Sequence, residues 1–311
     1  MANIFAIDWG GSKIETAVID QGGNILWRSR KDLPAGYAYN EGDVLQVIEA
    51  EFSKMVREFP QNEAHLAGVS IPGPSDPYKR ILLSNGGGIY NWAVGQAVED
   101  LLKMPVCIEK DVNACATAEK LFGCCKDTTD FIWITVSSGC GGGLYLNNKL
   151  YRGQGLQAGE IGHIRLEYDD PSPVTEDGVF GDMENEGAGN AIGRKYLRLT
   201  RQPPDPAFKS RQVGQLARQG DPVAKDIFFL AGTYIAKMCA MAANLLNLQK
   251  VVLGGGVAVY DFELMEPGIR ATLPGLLHFT SRDLKVERTA LGYDTSLLGA
   301  AAIVIDQKGY V

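Results

Sequence analysis

The sequence predicts an α/β protein built from two similar halves. Three observations lead there. Strand-like runs alternate with helical ones along the chain, the pattern of a sheet covered by helices. The length, 311 residues, suits about two domains of ordinary size. One local arrangement (strand, Gly-rich polar hairpin, strand, turn, strand) opens the chain and returns from Phe131 onward. The repeat reads as a duplicated domain whose paired hairpins face one cleft.

Residues 4–7 are apolar and form the first expected strand, 14–19 the second and 25–27 the third, with turns at 8–12 and 20–24. Between 41 and 59, apolar residues fall at 44, 45, 48, 52, 55, 56 and 59, a helical period. A strand is expected at 66–71, running into Pro72-Gly73-Pro74, then a short helix at 95–102, a strand at 106–108 and an Ala-rich helix at 112–122. The second half begins with a strand at 131–136 and a Gly-rich turn at 137–143. Strands at 144–146 and 150–151 come next, joined by an Asn-Asn turn. The polar stretch 167–186, with Pro171 and Pro173, reads as irregular. Helices are expected at 190–199 and 222–248, the longer one apolar enough to be buried. A strand at 250–253 enters Gly254-Gly255-Gly256, and a small apolar helix at 296–305 closes the chain.

Composition narrows the function. Thirty Lys and Arg against 37 Asp and Glu leave a net charge of −7, which argues against phosphate-backbone binding and so against a nucleic-acid partner. No apolar run reaches the ~18 residues of a membrane span, and Asp8 interrupts the short apolar stretch near the start. A cytoplasmic protein without a membrane partner is expected. The six cysteines show no regular spacing and no CxxC pair, so a disulfide framework is not expected.

Glycine is the outlier, at 37 of 311 residues against the ~7% typical of proteins. The runs fall beside strands, where a backbone turns sharply or a ligand approaches closely. Asp8-Trp9-Gly10-Gly11-Ser12-Lys13 brings a carboxylate to a turn with exposed N–H donors. Such a turn cradles phosphate oxygens, and its Asp can hold magnesium through water; a plain surface hairpin has the same pattern. Ser137 to Gly143 offers similar donors and two hydroxyls. It is not a P-loop, since no GK[ST] follows. Gly254-Gly255-Gly256 suits either a flat base lying on bare backbone or a strand-to-helix cap.

Glu109-Lys110-Asp111 follows a strand and opens a helix, where free N–H groups favour an anion. Asp111 fits two roles, a helix N-cap or a base that accepts the proton of an alcohol being phosphorylated. Glu160 and His163, three residues apart, can reach one ligand if 159–163 forms a helical turn. His65 and His278 lack such company and read as surface residues.

Taken in order, these segments resemble the ROK (repressor, open reading frame, kinase) family of sugar kinases, within the actin-like ATPase and sugar kinase superfamily. AGEIGHIRL, preceded by SSGCGGGLYLNNKLYRG, carries the most specific part of the resemblance. IDWGGSKIETAVID, IPGPSDP with Asn85, and VVLGGGVA supply the rest. The resemblance implies two ribonuclease H-like lobes around a central cleft, one of residues 1–112 plus 295–311 and the other of 113–294. It implies ATP and Mg²⁺ as cofactors, a sugar as substrate and a homodimer. Asp111 is then the catalytic base. Asn85, Lys110, Glu160, His163 and Glu184 lie on the sugar side. Asp8, Gly10, Gly11, Ser12 and Lys13 face Mg-ATP, with Asp8 holding the metal through water. Ser138 and Gly139 lie across the phosphates, and Gly255 and Gly256 near the adenine. The implied reaction moves the γ-phosphoryl group of ATP to a hexose hydroxyl, at C6.

Two positions depart from the family pattern. A zinc motif, CxCGxxGC, commonly follows the Gly-His pair; here residues 175–182 keep the glycines but replace the cysteines with Thr175, Asp177 and Asp182. Oxygen ligands suit magnesium or calcium better than zinc, so no zinc site is expected. Lys110 stands where many members carry Asn, which places a point charge beside the base; such a lysine either weakens Asp111 as a base, points away from the sugar, or marks a sugar with an anionic or keto group. The contrasting reading is a catalytically weak sugar-binding regulator. ROK repressors carry an extra N-terminal DNA-binding domain, and the phosphate segment here starts within ten residues of Met1.

Overall fold

The computed structural model describes residues 3–34, 39–61, 64–167 and 181–308. The chain forms two compact units, one of Met1–Asp127, Arg152–Ala158 and Asp294–Val311, the other of Thr128–Tyr151 and Gly159–Tyr293.

In the first unit, β1 (Asn3–Trp9), β2 (Lys13–Ile19) and β3 (Ile25–Asp32) form an antiparallel meander. Helix α1 (Glu41–Glu58) starts where the period begins: Asn40 Oδ1 accepts from the Gly42 and Asp43 amides, and Asp43 returns a bond to the Asn40 amide. β4 (Ala64–Ile71) then pairs parallel to β1. A small antiparallel sheet of β5 (Ser75–Asp76), β6 (Ile81–Ser84) and β7 (Tyr90–Trp92) leads into α2 (Val94–Leu102). β8 (Val106–Lys110) pairs parallel to β4 and runs without a break into α3 (Asp111–Leu121). The sheet order is β3-β2-β1-β4-β8.

Alternation along β1 divides the unit into two layers. Phe5, Ile7 and Trp9 join a core with Val44, Ile48 and Met55 of α1 and Val94 and Val98 of α2. Asp8 faces the other way, toward the C-terminal helix, Thr295–Lys308, where Ser296 meets it. That helix lies against β1, β4 and α3 at very short range. A Cβ on Gly68 would stand 1.7 Å from the Ala300 carbonyl oxygen, and one on Gly299 would stand 2.7 Å from the Ala114 carbonyl carbon. This packing explains why the first unit reaches Asp127 rather than the expected 112: α3 is held to the C-terminal helix.

The second unit repeats the plan. β9 (Phe131–Val136), β10 (Cys140–Leu146) and β11 (Lys149–Tyr151) are antiparallel. Three helices come next, α4 (Met183–Gly187), α5 (Gly189–Leu199) and α6 (Ser210–Arg218). Then come α7 (Pro222–Leu246), β12 (Lys250–Gly254), α8 (Gly255–Leu276) and β13 (Lys285–Arg288). The order β11-β10-β9-β12-β13, with β9, β12 and β13 parallel, is the order of the first sheet. Each unit is therefore a ribonuclease H-like sheet, and the fold is the duplicated α/β architecture that the repeated hairpins predict.

α7 is long and apolar enough to cross a membrane by length and composition, but 56% of that stretch is buried inside the unit. It packs on α8 through glycine: a Cβ on Gly232 would lie 2.0 Å from the Met265 carbonyl oxygen, and one on Gly268 would lie 2.0 Å from that of Phe229.

The Gly-rich turn expected at 137–143 is shorter than the sequence suggests. Only 137–139 turn, and Cys140 to Gly143 pair with β9. α6, β13 and the small three-stranded sheet have no counterpart in the expected elements, and α8 extends through Pro267 and Pro274. Of the stretch expected to be irregular, 168–180 lies outside the described residues, while 183–187 is helical. None of the six cysteines is joined in a disulfide.

The close approach at Gly68 predicts that Gly68→Ala lowers unfolding free energy by about 3 kcal/mol in urea titrations, as overpacking against rigid backbone does. Gly275→Ala has open space around the new methyl within α8 and should instead gain about 0.5–1 kcal/mol. Equal effects of the two changes would refute this account of the helix packing.

Candidate functional site

Parallel register brings the charged residues of the first unit to one sheet edge. Asp8 on β1 stands opposite Ser70 on β4, and Ser70 opposite Glu109 on β8. The C-terminal ends of parallel strands are where open α/β sheets bind ligands.

Asp8 is only 5% exposed. Burial pushes its carboxyl up to about 6, against the pull of Lys13 and of the Ser296 hydroxyl, which donates to Asp8 Oδ2 at 3.1 Å. Asp111 and Glu15 add to the upward push. Lys13 Nζ is 3.8 Å from Asp8 Oδ2 and also bonds Glu15. For Glu15, burial alone would raise the carboxyl, but bonds from Lys13 and Arg28 hold it below the ordinary value. Between β1 and β2, the Gly10 amide donates to the Lys13 carbonyl at 2.9 Å, and Ser12 is exposed. A Cβ on Gly10 would make only an ordinary 3.7 Å contact. The turn itself does not require glycine at this position.

Asp111 is the first residue of α3, and the N-cap position falls to Lys110. The expected N-cap alternative for Asp111 is thus replaced by a first-turn position. Its Oδ1 accepts from the Val112 amide at 2.8 Å, where helix N–H groups stabilise an anion. Its side chain is half-buried. One turn on, the Cys115 thiol is pushed well above its ordinary value by burial first, then by Asp111 and Asp8, which marks these carboxylates as neighbours. Lys110 is buried. The Glu109 charge is met by Arg152, whose Nε and Nη2 donate to Oε2 at 2.8 and 2.6 Å, and by Asn113.

Asn85 closes the loop after β6. Its Oδ1 accepts from the Gly87 and Ile89 amides at 2.8 and 3.0 Å, and Gly86 and Gly88 take positive φ of 69° and 112°. Its Nδ2 is buried without a hydrogen-bond partner. A buried donor left unused costs roughly 1–3 kcal/mol, so this amide is suited to a ligand oxygen. Gly73 lets the Pro-Gly-Pro segment approach: a Cβ there would be 2.4 Å from the Ser84 carbonyl oxygen.

In the second unit, the 137–139 turn is braced by α5, whose Gly189 and Asn190 amides donate to the Ser137 and Ser138 carbonyls. Ser138 is exposed. A Cβ on Gly139 would stand 2.5 Å from Glu184 Oε2, the movable end of a side chain that accepts from the Cys140 amide at 2.9 Å. Gly255, at φ 83°, opens α8 beside Thr135, and a Cβ on Gly256 would come no nearer than 3.8 Å to Ser137 Oγ. Between the two readings of Gly254-Gly255-Gly256, the strand-to-helix start is what the backbone shows.

The Gly159-to-His163 segment lies directly on β10. The Gly142 amide donates to the Gly159 carbonyl at 2.8 Å, a Cβ on Gly159 would be 1.9 Å from the Gly142 oxygen, and one on Gly162 would be 2.1 Å from the Cys140 oxygen. The glycines at 141–143 therefore include one, Gly142, that seats this segment rather than a phosphate. Ile161–His163 forms the expected helical turn, of 3-10 type. His163 Nε2 is 4.0 Å from Glu160 Oε2, and Nδ1 is 3.7 Å from Asp182 Oδ2.

Magnesium fits the first unit. Asp8 is a buried carboxylate held unfavourably ionised, with a second carboxylate nearby, the donor chemistry of a hard cation reached directly or through water. No group of three His, Cys, Asp or Glu among the described residues is placed to hold a metal, and Thr175 and Asp177 lie outside them.

Against known proteins, the ROK family matches residues 4–307. This chain belongs to the ROK family. Among family relatives, the N-acetylmannosamine kinase of Yersinia pestis (strain Pestoides F) is 30% identical over 97% of this chain and 98% of its own. The N-acetylglucosamine repressor of Escherichia coli O157:H7 is 31% identical over 76% of this chain, which spans 59% of that protein's length. The structure of a ROK family glucokinase from Streptomyces griseus with glucose and AMPPNP superposes with a TM-score of 0.82 at 27% identity, covering 96% of this chain and 98% of that one.

Two contributors to this ROK site carry no local sequence signal. Arg152 reaches Glu109 from 43 residues away, and Ser296 reaches Asp8 from 288 away. Each looks ordinary where it stands in the chain.

The cost of Asp8 sets a pH dependence. An unfolded carboxyl releases its proton near 3.8, whereas the folded one keeps it to about 6, so the folded state loses stability between those values and bears the full cost above 6. Asp8→Asn, in buffer free of magnesium and nucleotide, should match wild type near about pH 4 and exceed it by roughly 3 kcal/mol near about pH 8. A stability difference that does not change with pH would show that Asp8 ionises without cost.

Proposed function

We propose that the protein is an ATP-dependent sugar kinase that moves the γ-phosphoryl group to the C6 hydroxyl of a hexose or hexose derivative. The observation that carries this reading is Asp111. It is a half-buried carboxylate at a helix start, on the same sheet edge as the buried Asp8. Asp111 accepts the proton of the acceptor hydroxyl as the oxygen–phosphorus bond forms and ADP leaves with the bridging oxygen. Asp8 and Lys13, with the open Gly10-Gly11-Ser12 backbone, receive the nucleotide phosphates. Magnesium, when bound, offsets charge developing on the transferring group. The Asn85 amide donates to a sugar oxygen. In the second unit, Ser138, Gly139, Gly255 and Gly256 serve the nucleotide, and Glu160, His163 and Glu184 serve sugar hydroxyls.

The family membership supports this, as do a kinase relative that covers almost the whole chain and the sugar and nucleotide named with the Streptomyces griseus structure. Lys110 is buried immediately before the base, where many relatives of the family pattern carry Asn.

A coupled ADP-release assay over glucose, fructose, N-acetylmannosamine, N-acetylglucosamine and acidic sugars tests the reading, with the product's phosphorylated carbon assigned by NMR. Asp111→Ala should lower kcat on the best sugar by about 10²–10⁴-fold while thermal stability stays near wild type. Wild-type turnover in that variant would remove Asp111 as the base.

A further inference from the structure

Asp182 has two oxygens with different tasks. Oδ1 caps α4, accepting from the Asn185 amide at 2.8 Å. Oδ2 is buried, has no hydrogen-bond partner, and lies 3.7 Å from His163 Nδ1. The residue is 0% exposed, and its main chain is fixed by a bridge to Arg165 and by the Glu186 amide donating to its carbonyl. A fully buried carboxylate with one uncommitted oxygen costs free energy unless a donor faces it, and the group facing this one is an imidazole nitrogen.

We propose that Asp182 is a positioning residue that holds His163 in the tautomer protonated on Nδ1, so that Nε2 is turned to the ligand beside Glu160. This inference rests on the assignment of His163 to the sugar side of the proposed kinase site. Chemically, a carboxylate facing one ring nitrogen makes that nitrogen the proton carrier and leaves the other free to accept, which is how metal-free histidine sites fix a tautomer. Placement comes from the chain. Asp182 opens α4, which two residues later carries Glu184, and Glu184 Oε2 is bound to the Cys140 amide on the strand where Gly162 packs. One short helix thus ties the histidine turn and Glu184 to β10, with a side chain taking a place that a zinc thiolate holds in the family motif.

The test uses Asp182→Asn in the full-length protein. Asn keeps the shape, and its Oδ1 keeps the cap, so its amide nitrogen becomes the group that faces Nδ1. A donor there should reverse the tautomer. Long-range ¹H–¹⁵N spectra above the titration of histidine resolve this, because the chain has only three histidines and His163→Gln assigns the signal. Wild type should show His163 protonated on Nδ1, and the variant should show it on Nε2. The KM for the best sugar should rise about tenfold, the size of one lost hydrogen bond, with kcat and the KM for ATP within about twofold. Asp182→Ser, which retains a capping oxygen but takes the Asp182 carboxylate away from the ring, should give a mixed tautomer and the same direction in KM. An unchanged tautomer in Asp182→Asn overturns the proposal. So does stoichiometric zinc in purified wild type that is lost in the variants. If wild type phosphorylates no sugar, the kinase reading fails, and the spectra still decide the role of Asp182.

Discussion

Parallel pairing of β1 with β4 and of β4 with β8 is the constraint on which the first unit's chemistry depends. Parallel strands end on the same side, so a residue late in each strand arrives at one edge whatever its distance in sequence. Asp8, Ser70 and Glu109 align in this way, and the helix that β8 enters begins at once with Asp111. The C-terminal helix packs so close to β4 that only glycine fits at position 68.

The second unit reuses the pairing with different chemistry at its edge. β9 and β12 end opposite each other at Thr135 and Gly254, and they lead into a serine–glycine turn and a helix start rather than into carboxylates. Both edges combine acids with backbone donors: Asp8 and Asp111 accompany the Gly10-Gly11 turn in the first unit, and Glu184 sits on the serine–glycine turn in the second. The fold supplies the edge and leaves its side chains open to change.

Much of this was legible in the sequence because it is local. The two meanders show as alternating apolar runs with Gly- and Asn-containing turns, and Asn40 with Asp43 marks the start of α1. What failed did so where partners are distant. The glycines at 141–143 look like part of a turn, yet they lie in a strand, and it is Gly159, crossing Gly142, that has no room for a side chain. α8 is hidden by Pro267, Pro274 and a non-helical Asp261, whose local cost is offset by packing along α7. β13, four residues long, has no pattern of its own and is a strand only because β12 offers it a free edge. The zinc-motif positions illustrate both cases: the loss of cysteines is plain in the sequence, whereas the approach of Asp182 to His163 needs the fold.

Two features of the first unit are not explained by folding at all. Gly10 could carry a side chain without a clash, and its turn does not use positive φ. Asp8 sits where burial works against its charge and where Asp111 and Glu15 repel it. An apolar or amide residue at position 8 would serve the sheet better, and a substituted residue at 10 would lose less chain entropy on folding. Both departures lie within three residues of each other at the end of β1. A bare backbone and an under-compensated carboxylate, side by side, are what a packed core avoids, and they are the features on which the proposed phosphate and cation roles rest.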